Sequence, residues 1–221
     1  MKLAFPHIQN AIKITEDFVT GLVVENPALL FSLLQDLRRQ TNGEAGRAIL
    51  SEDNTPVSMP KHLELLTDFI SFDGNSKGLQ TKIIQRLERT AQNENFVSET
   101  NRILSLLEAF LDDLAYYEDL ELAYDKLSLT NLLKSVGIRP IMDYNTLEER
   151  LYAYMDLVTR LEGDKLFVLV NLRSFVPTDA LDAFSETVTA HGMKVLLVDG
   201  HDYPTLSAEK RFLIDEDLCE V

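Results

Sequence analysis

LFVLV at residues 166–170 and VLLV at residues 195–198 are unbroken apolar runs, separated by a segment at 178–190 that has the pattern of a helix. Strands that are buried on both faces show continuous rather than alternating hydrophobic residues. A strand, helix, strand unit of this length joins parallel neighbours within one sheet. The C-terminal part of the chain therefore predicts an α/β fold whose parallel sheet is covered on both faces.

The N-terminal region predicts further parts of the same body. Short strands are expected within residues 1–24, where apolar residues alternate with polar breaks. Asn26 can cap a following helix and Pro27 suits its first turn. Leucines at helical spacing continue to Arg38 and Arg39, and a loop or weak hairpin is expected from Thr41 to Pro60.

The middle of the chain predicts a helical elaboration. One helix is expected around residues 79–89 and a longer one up to residue 127, with shorter helices at 129–136 and 147–161. The apolar positions of the longer helix alternate steps of four and three, which is typical of a coiled-coil seam: Ile103, Leu107, Phe110, Leu114, Tyr117, Leu120, Tyr124 and Leu127. We therefore expect an α/β head at 1–75 and 150–221 and an extended helical leg at 76–149. The alternative is an ordinary amphipathic helix packed on its own domain.

Composition limits the functional classes. The 221 residues are 45% hydrophobic, without the roughly 18 consecutive apolar residues of a membrane span. Cys219 is the one cysteine, and the N-terminus lacks the apolar run of a secretory signal, so a cytoplasmic protein is expected. A net charge of -15 argues against nucleic acid. However, five basic residues cluster in one stretch: Lys77, Lys82, Arg86, Arg89 and Arg102.

The stretch 107–125 contains seven carboxylates and no Lys or Arg. On a helix, Glu118, Glu121 and Asp125 would share one face, with Asp119 beside it. Such a face favours a basic partner surface or a hard cation such as Ca²⁺, although no EF-hand loop is present. The alternative is a solvated acidic face on a very acidic protein.

Enzymatic motifs are weak. The predicted strand-to-helix connection at Glu25 to Pro27 has neither the glycines nor the lysine of a phosphate-binding loop. The four histidines are widely separated, and no G-x-S-x-G motif occurs. Asp215 to Asp217 could suggest phosphodiester cleavage, but terminal acids of this kind are usually solvated.

The order of segments resembles the small ring-forming accessory protein family of type II-A CRISPR loci, which takes part in acquiring new spacers for antiviral defence. The matching text is MKLAFPHIQNAI at the start, LLTDFISFDGNS at 65–76, DLELAYDKLSLTNLLKSVGIR at 119–139 and LFVLVNLRSFVPTDAL at 166–181, with VLLVDGHDYPTL and FLIDEDL near the end.

The resemblance implies a head similar to a P-loop ATPase without its nucleotide site, in a non-enzymatic homotetrameric ring that binds double-stranded DNA ends without sequence preference. It also implies contacts with CRISPR integration proteins and with the RNA-guided effector nuclease. Implied Ca²⁺ ligands are Glu118, Asp119, Glu121 and Asp125. The first candidates for DNA contacts are Lys77, Lys82, Arg86 and Arg89. The secondary candidates are Arg38, Arg39 and Lys134. The alternatives are a divergent metal-dependent nuclease or nucleotide hydrolase, and a helical protein-binding adaptor.

Overall fold

A computed structural model describes residues 1–220, which form two compact units. The sheet unit comprises residues 1–72 and the chain from 143 onward, and the helical unit comprises Asp73–Met142. The units divide after residues 72 and 142, whereas the sequence predicted boundaries after 75 and 149. No helix within the described residues has the length and apolar composition needed to cross a membrane.

The sheet unit contains all nine strands of the described chain and four of its α-helices. Its first part is β1 (Lys2–Ala4), β2 (Ile12–Lys13), β3 (Val19–Val24), α1 (Pro27–Thr41), β4 (Ile49–Glu52), β5 (Thr55–Pro56), α2 (Met59–His62) and β6 (Leu63–Leu66). The helical unit follows with α3 (Lys77–Ala91), α4 (Val97–Tyr117) and α5 (Leu129–Ser135). The sheet unit then resumes with α6 (Leu147–Glu162), β7 (Leu166–Val170), a 3-10 turn (Leu172–Ser174), α7 (Thr178–Ala190), β8 (Lys194–Asp199) and β9 (Glu209–Ile214).

The main sheet has five parallel strands in the order β6-β7-β8-β3-β9. Every residue of β3 and β7 is buried, and because successive side chains point to opposite faces, both faces of these strands are covered. α1 packs against β3 and β6, and α7 packs against β3, β8 and α6. The predicted α/β fold with a parallel sheet is confirmed.

A smaller antiparallel sheet, in the order β2-β1-β4-β5, shares the core of the sheet unit. Leu3, Ile12 and Leu50 lie in one buried cluster with Leu33 and Leu37 of α1. The turn between β4 and β5 uses residues 53 and 54, both with positive φ, as a two-residue hairpin turn requires. The expected short strands and hairpin are therefore present.

The start of α1 follows its sequence signals. The Asn26 side-chain oxygen accepts hydrogen bonds from the backbone N–H groups of Ala28 at 3.1 Å and Leu29 at 3.0 Å. Pro27 occupies the first turn, where its missing N–H needs no partner.

The helical unit has a much smaller interior. Within residues 73–142, all of which the structure describes, Leu79 and Ile84 of α3 are the buried apolar side chains, and α3 packs against α5. Gly137, with a φ of 67°, ends α5 as predicted. Helix α4 has no buried residue along its length, 97–117.

Candidate nucleic-acid interface and acidic segment

Helix α3 carries the predicted basic stripe. Ser76 caps the helix through its hydroxyl, which accepts from the N–H of Leu79 at 3.2 Å. Leu79 and Ile84 turn inward, while Lys77, Arg86 and Arg89 are exposed and Lys82 is half-buried. Steps of four and three residues place Lys82, Arg86 and Arg89 in one row. This row can therefore face a polyanion from Lys82 to Arg89, while Lys77 lies on a different side of the helix.

The remaining predicted DNA contacts divide between the units. Lys134 is exposed in the last turn of α5, the helix that packs against α3. Arg38 and Arg39 are exposed in the last turn of α1, in the sheet unit. Arg39 is already paired, with its Nε 3.1 Å from Glu44 Oε2. Five of the seven residues thus belong to the helical unit and two do not.

The acidic segment that holds the predicted calcium ligands, residues 118–125, is not helical, contrary to the prediction. Helix α4 ends at Tyr117, and no helix or strand covers residues 118–128. Asp119 has a positive φ of 51°. Its N–H bonds the carbonyl of Tyr116 at 3.3 Å, and the N–H of Leu120 bonds the carbonyl of Ala115 at 3.0 Å. These two bonds form a Schellman motif.

The charge of the segment explains this ending. Carboxylates are unfavourable at the negative C-terminal end of a helix, and like charges three and four residues apart repel each other. Aspartate also adopts the left-handed conformation more readily than most residues. The prediction that Glu118, Glu121 and Asp125 share a helix face is therefore wrong.

Beyond the cap, the chain returns along α4. The Tyr124 hydroxyl donates to Asp112 Oδ1 at 2.7 Å and lies 3.3 Å from the carbonyl oxygen of Glu108. The hydrogen bond to Asp112 raises the pKa of Tyr124. Asp125 lines a groove with Leu104 and Leu107. Glu118 ends the helix eleven residues after Leu107, about 16 Å further along the axis.

The four predicted calcium ligands do not form a site in one copy of the chain. All four are exposed, and Asp125 lies near Leu107, about half the length of α4 from Glu118. Within residues 1–220, no group of three or more His, Cys, Asp or Glu residues is placed to hold a metal ion. Calcium favours six to eight oxygen ligands, so this arrangement does not fit the ion that the resemblance implies.

Helix α4 also presents an apolar surface. Phe110 is 57% exposed and Leu114 45% exposed, and Ile103, Leu106 and Tyr117 are exposed with them. Glu108 and Asp112 lie roughly opposite this row, whereas Glu99 and Asp113 lie within it. Exposed apolar rows of this kind mark surfaces that associate with another helix or another molecule.

The sequence reasoning missed a buried ionic cluster in the sheet unit. Arg173 Nε lies 2.9 Å from Asp199 Oδ2, and Arg173 Nη2 lies 2.6 Å from Glu209 Oε1. Arg173 also donates to the carbonyl of Pro204 at 3.1 Å, and Arg211 pairs with Glu209 and Asp202. The motif VLLVDG contained Asp199, but no periodicity could show its partner.

The carboxylates of this cluster are paired with Arg173 and Arg211 of the same unit. Burial raises the pKa of Asp199 to about 6, against the lowering effect of Arg173, and its Oδ1 has no hydrogen-bond partner among the described residues. The guanidinium of Arg173 occupies the position that a cation would take between these carboxylates. The Asn26 side chain, at the end of β3, is committed to capping α1. These residues therefore serve the fold.

Comparisons with known proteins agree on one family. A family model described as CRISPR-associated protein (Cas_Csn2) matches residues 40–218. The CRISPR-associated protein Csn2 of Streptococcus agalactiae is 22% identical over 227 residues, which cover 99% of each chain.

The crystal structure of Stu0660 of Streptococcus thermophilus has a TM-score of 0.57 at 15% identity, covering 93% of this chain and 69% of that one, which shows a shared fold. A putative ABC transporter (ATP-binding protein) from Pyrococcus furiosus reaches a TM-score of 0.39 at 12% identity, too low to carry an argument. Because the family model matches most of its length, the chain belongs to the Csn2 family of CRISPR-associated proteins, which confirms the resemblance read from its segments.

Proposed function

We propose that this chain is a non-enzymatic DNA-binding protein of CRISPR adaptation, which holds double-stranded DNA ends as a homotetrameric ring without sequence preference. The observation that carries the proposal is the basic stripe of α3. The helix has four basic residues against one acid, Glu88, in a chain of net charge -15. Within residues 1–220, no carboxylate pairs with Lys77, Arg86 or Arg89, so their charge is available to phosphates.

The chemistry of the stripe suits a phosphate backbone rather than base edges. Lys82 and Arg89, the two ends of the row, are seven residues apart on α3, about 10 Å, so the row can contact more than one phosphate of a strand. Flexible cationic side chains on such a row position DNA without reading its sequence. Binding should therefore weaken steeply with salt through counterion release.

The apolar face of α4 supports self-association. Phe110→Ser should leave the fold of the helical unit intact, since Phe110 is 57% exposed, but should weaken the tetramer at least tenfold. The measurement is size-exclusion chromatography with light scattering over a concentration series. Phe31→Ser is the matched control, because Phe31 is 66% exposed in the sheet unit. A wild-type monomer at micromolar concentration would overturn the ring.

The proposed DNA binding does not depend on a calcium site within one copy of the chain. One copy of the chain does not gather the carboxylates, so a calcium requirement needs oxygens from a second copy or a rearrangement of residues 118–128. The integration proteins and the RNA-guided nuclease of the CRISPR locus are the proposed partners, and co-purification with each tests them.

The deciding experiment is a gel-shift with linear and covalently closed circular duplexes of equal length, with Ca²⁺ or with chelator. Binding to linear DNA alone supports threading of a closed ring onto ends. Equal binding to both forms contradicts end-threading and leaves an electrostatic clamp. Cleavage of either DNA favours the nuclease alternative. Failure to bind any duplex at low salt favours a helical adaptor that associates with proteins through α4.

A further inference from the structure

One guanidinium contacts both points at which the chain leaves and re-enters the sheet unit. Phe72 is the last residue before the helical unit, and the chain returns at Asp143. Arg150, in the first turn of α6, donates from Nη1 to the carbonyl of Phe72 at 3.0 Å and from Nη2 to the carbonyl of Tyr144 at 3.2 Å. The planar fork of an arginine suits two such acceptors at once.

Phe72 is held a second time through its ring. The ring meets that of Tyr154 edge-on, with centroids 5.3 Å apart. The Tyr154 hydroxyl donates to Glu64 Oε1 at 2.9 Å, and burial together with the Glu64 charge raises the pKa of Tyr154, so the phenol stays protonated as a donor. The departing connection is therefore tied by main chain and side chain to the same helix.

The network continues into the buried interior. Lys165, 3% exposed at its side chain, lies between two carboxylates, with its Nζ 2.7 Å from Glu162 Oε2 and 3.4 Å from Glu64 Oε2. Glu64 is on β6, and Lys165 directly precedes β7. A buried lysine needs such compensation. The network thus links Phe72 to two neighbouring strands of the main sheet, β6 and β7.

Inside the helical unit, the first and last segments are again side by side. Gly74 has a φ of 70°, and a Cβ built on it would lie 3.1 Å from Met142 Cγ. The paired course of the two connections therefore continues on the other side of the unit boundary.

We propose that Arg150 is a connection anchor. It fastens the segment that ends at Phe72 and the segment that begins at Asp143 to α6, so that these two segments at the unit boundary are held as a pair instead of independently. Without the Arg150 guanidinium, the carbonyls of Phe72 and Tyr144 lose their hydrogen-bond donor at the same time. The segments around Phe72 and Tyr144 then become mobile together. This joint response distinguishes an anchor from an arginine that supports a single loop.

Hydrogen exchange of the full chain tests the anchor. Arg150→Ala should accelerate amide exchange at least tenfold in both 72–76 and 142–146, while β7 and β8 keep their protection. Arg150→Lys should give an intermediate effect, because an ammonium keeps the charge and can donate hydrogen bonds but lacks the planar fork that serves two acceptors at once. Arg160→Ala is the matched control: it removes an arginine of the same helix, 69% exposed and paired with Asp156, and should change neither segment.

Three results would overturn the anchor: no acceleration with Arg150→Ala, acceleration in one segment alone, or an equal acceleration in β7 and β8. If Arg150→Ala does not fold, Arg150→Lys and Tyr154→Phe decide by the same comparison. The exchange measurement requires no DNA, so its outcome is independent of the proposed function. Gel-shifts with the same variants then show separately whether a fixed connection matters for duplex binding.

Discussion

The sheet unit and the helical unit bury their side chains to very different degrees. The sheet unit buries nearly all of β3, β7 and β8, whereas residues 73–142, all described, bury Leu79 and Ile84 as their apolar interior. The sheet unit therefore contains its own source of stability. The helical unit leaves apolar side chains exposed, among them Phe110 and Leu114, which is typical of the part of a protein that assembles or binds.

The two units also differ in how far their ion pairs are buried. In the sheet unit, Arg173, Asp199 and Glu209 are almost fully buried and paired with each other. In the helical unit, Arg102 and Glu99 form a pair whose side chains are 61% and 55% exposed. Charges of the first kind are buried within the fold and depend on their partners, and charges of the second kind remain in contact with solvent.

The largest expected effect separates these two kinds of charge. Arg173→Met should destabilise the sheet unit by about 3–5 kcal/mol, because it leaves Asp199 and Glu209 buried without their cation. Arg102→Met, the matched change in the helical unit, should leave the unfolding midpoint almost unchanged. Urea unfolding followed by circular dichroism measures both. Equal losses of stability in the two variants would show that the buried and the exposed ion pairs contribute alike.

Asp199 gives the next largest effect, as a pH dependence. Its carboxyl has a pKa of 3.8 as the ordinary value and about 6 in the fold. The folded state therefore binds more protons between these pH values, and this group's contribution to stability falls as pH rises from about 4 to about 6. The shift of roughly two units corresponds to roughly 3 kcal/mol.

The variant Asp199→Asn removes this titration. Its stability relative to wild type should rise through the same pH range and then level off, because other carboxyls cancel in the difference. Thermal unfolding of both proteins from pH 4 to pH 8 gives the measurement. Parallel stability curves would show that the buried carboxyl does not titrate in this range.

Two glycines sharpen the comparison further. A Cβ on Gly21 of β3 would lie 2.0 Å from Glu209 Oε1, and that carboxylate cannot swing aside without breaking its bonds to Arg173 and Leu206. Gly21→Ala should therefore cost about 1–3 kcal/mol. At Gly78 of α3 the nearest atom is Ser76 Oγ at 4.0 Å, so Gly78→Ala should stabilise by about 0.5–1 kcal/mol. In thermal unfolding, Gly21→Ala should lower the midpoint and Gly78→Ala should raise it. An unchanged midpoint for Gly21→Ala would show that the Glu209 carboxylate can move aside.

Local signals explain how much of the fold was predictable. The apolar runs of β7 and β8 and the Asn26-Pro27 start of α1 are short-range patterns, and the structure follows them. The end of α4 was not predicted, because the apolar pattern extended the helix to residue 127, whereas Asp119 adopts the left-handed conformation just after Glu118. The apolar seam continues past Tyr117, but like-charge repulsion at the helix end outweighs it.

The missed contacts are long-range. Arg173 and Asp199 are separated by 26 residues and Arg150 and Phe72 by 78, so no periodicity connects them. The basic stripe on α3 was predictable because helical spacing alone brings its members together. Helical spacing does not connect Arg38 and Arg39 with this stripe, and the sequence already assigns them to the α/β head at 1–75.

The smallest expected effect tests whether the exposed charge of the helical unit is used. Arg86→Gln removes one cation of the stripe, and the logarithmic salt slope of duplex binding should decrease in magnitude by about one, as for one lost phosphate contact. Arg102→Gln is the control, since Arg102 is held by Glu99 through two hydrogen bonds on α4 and should leave the slope unchanged. Fluorescence anisotropy with a labelled duplex between 50 and 200 mM salt, roughly the range over which such contacts dominate, gives both slopes. If Arg102→Gln changes the slope as much as Arg86→Gln, DNA responds to the total charge of the unit and the α3 stripe is not its binding surface.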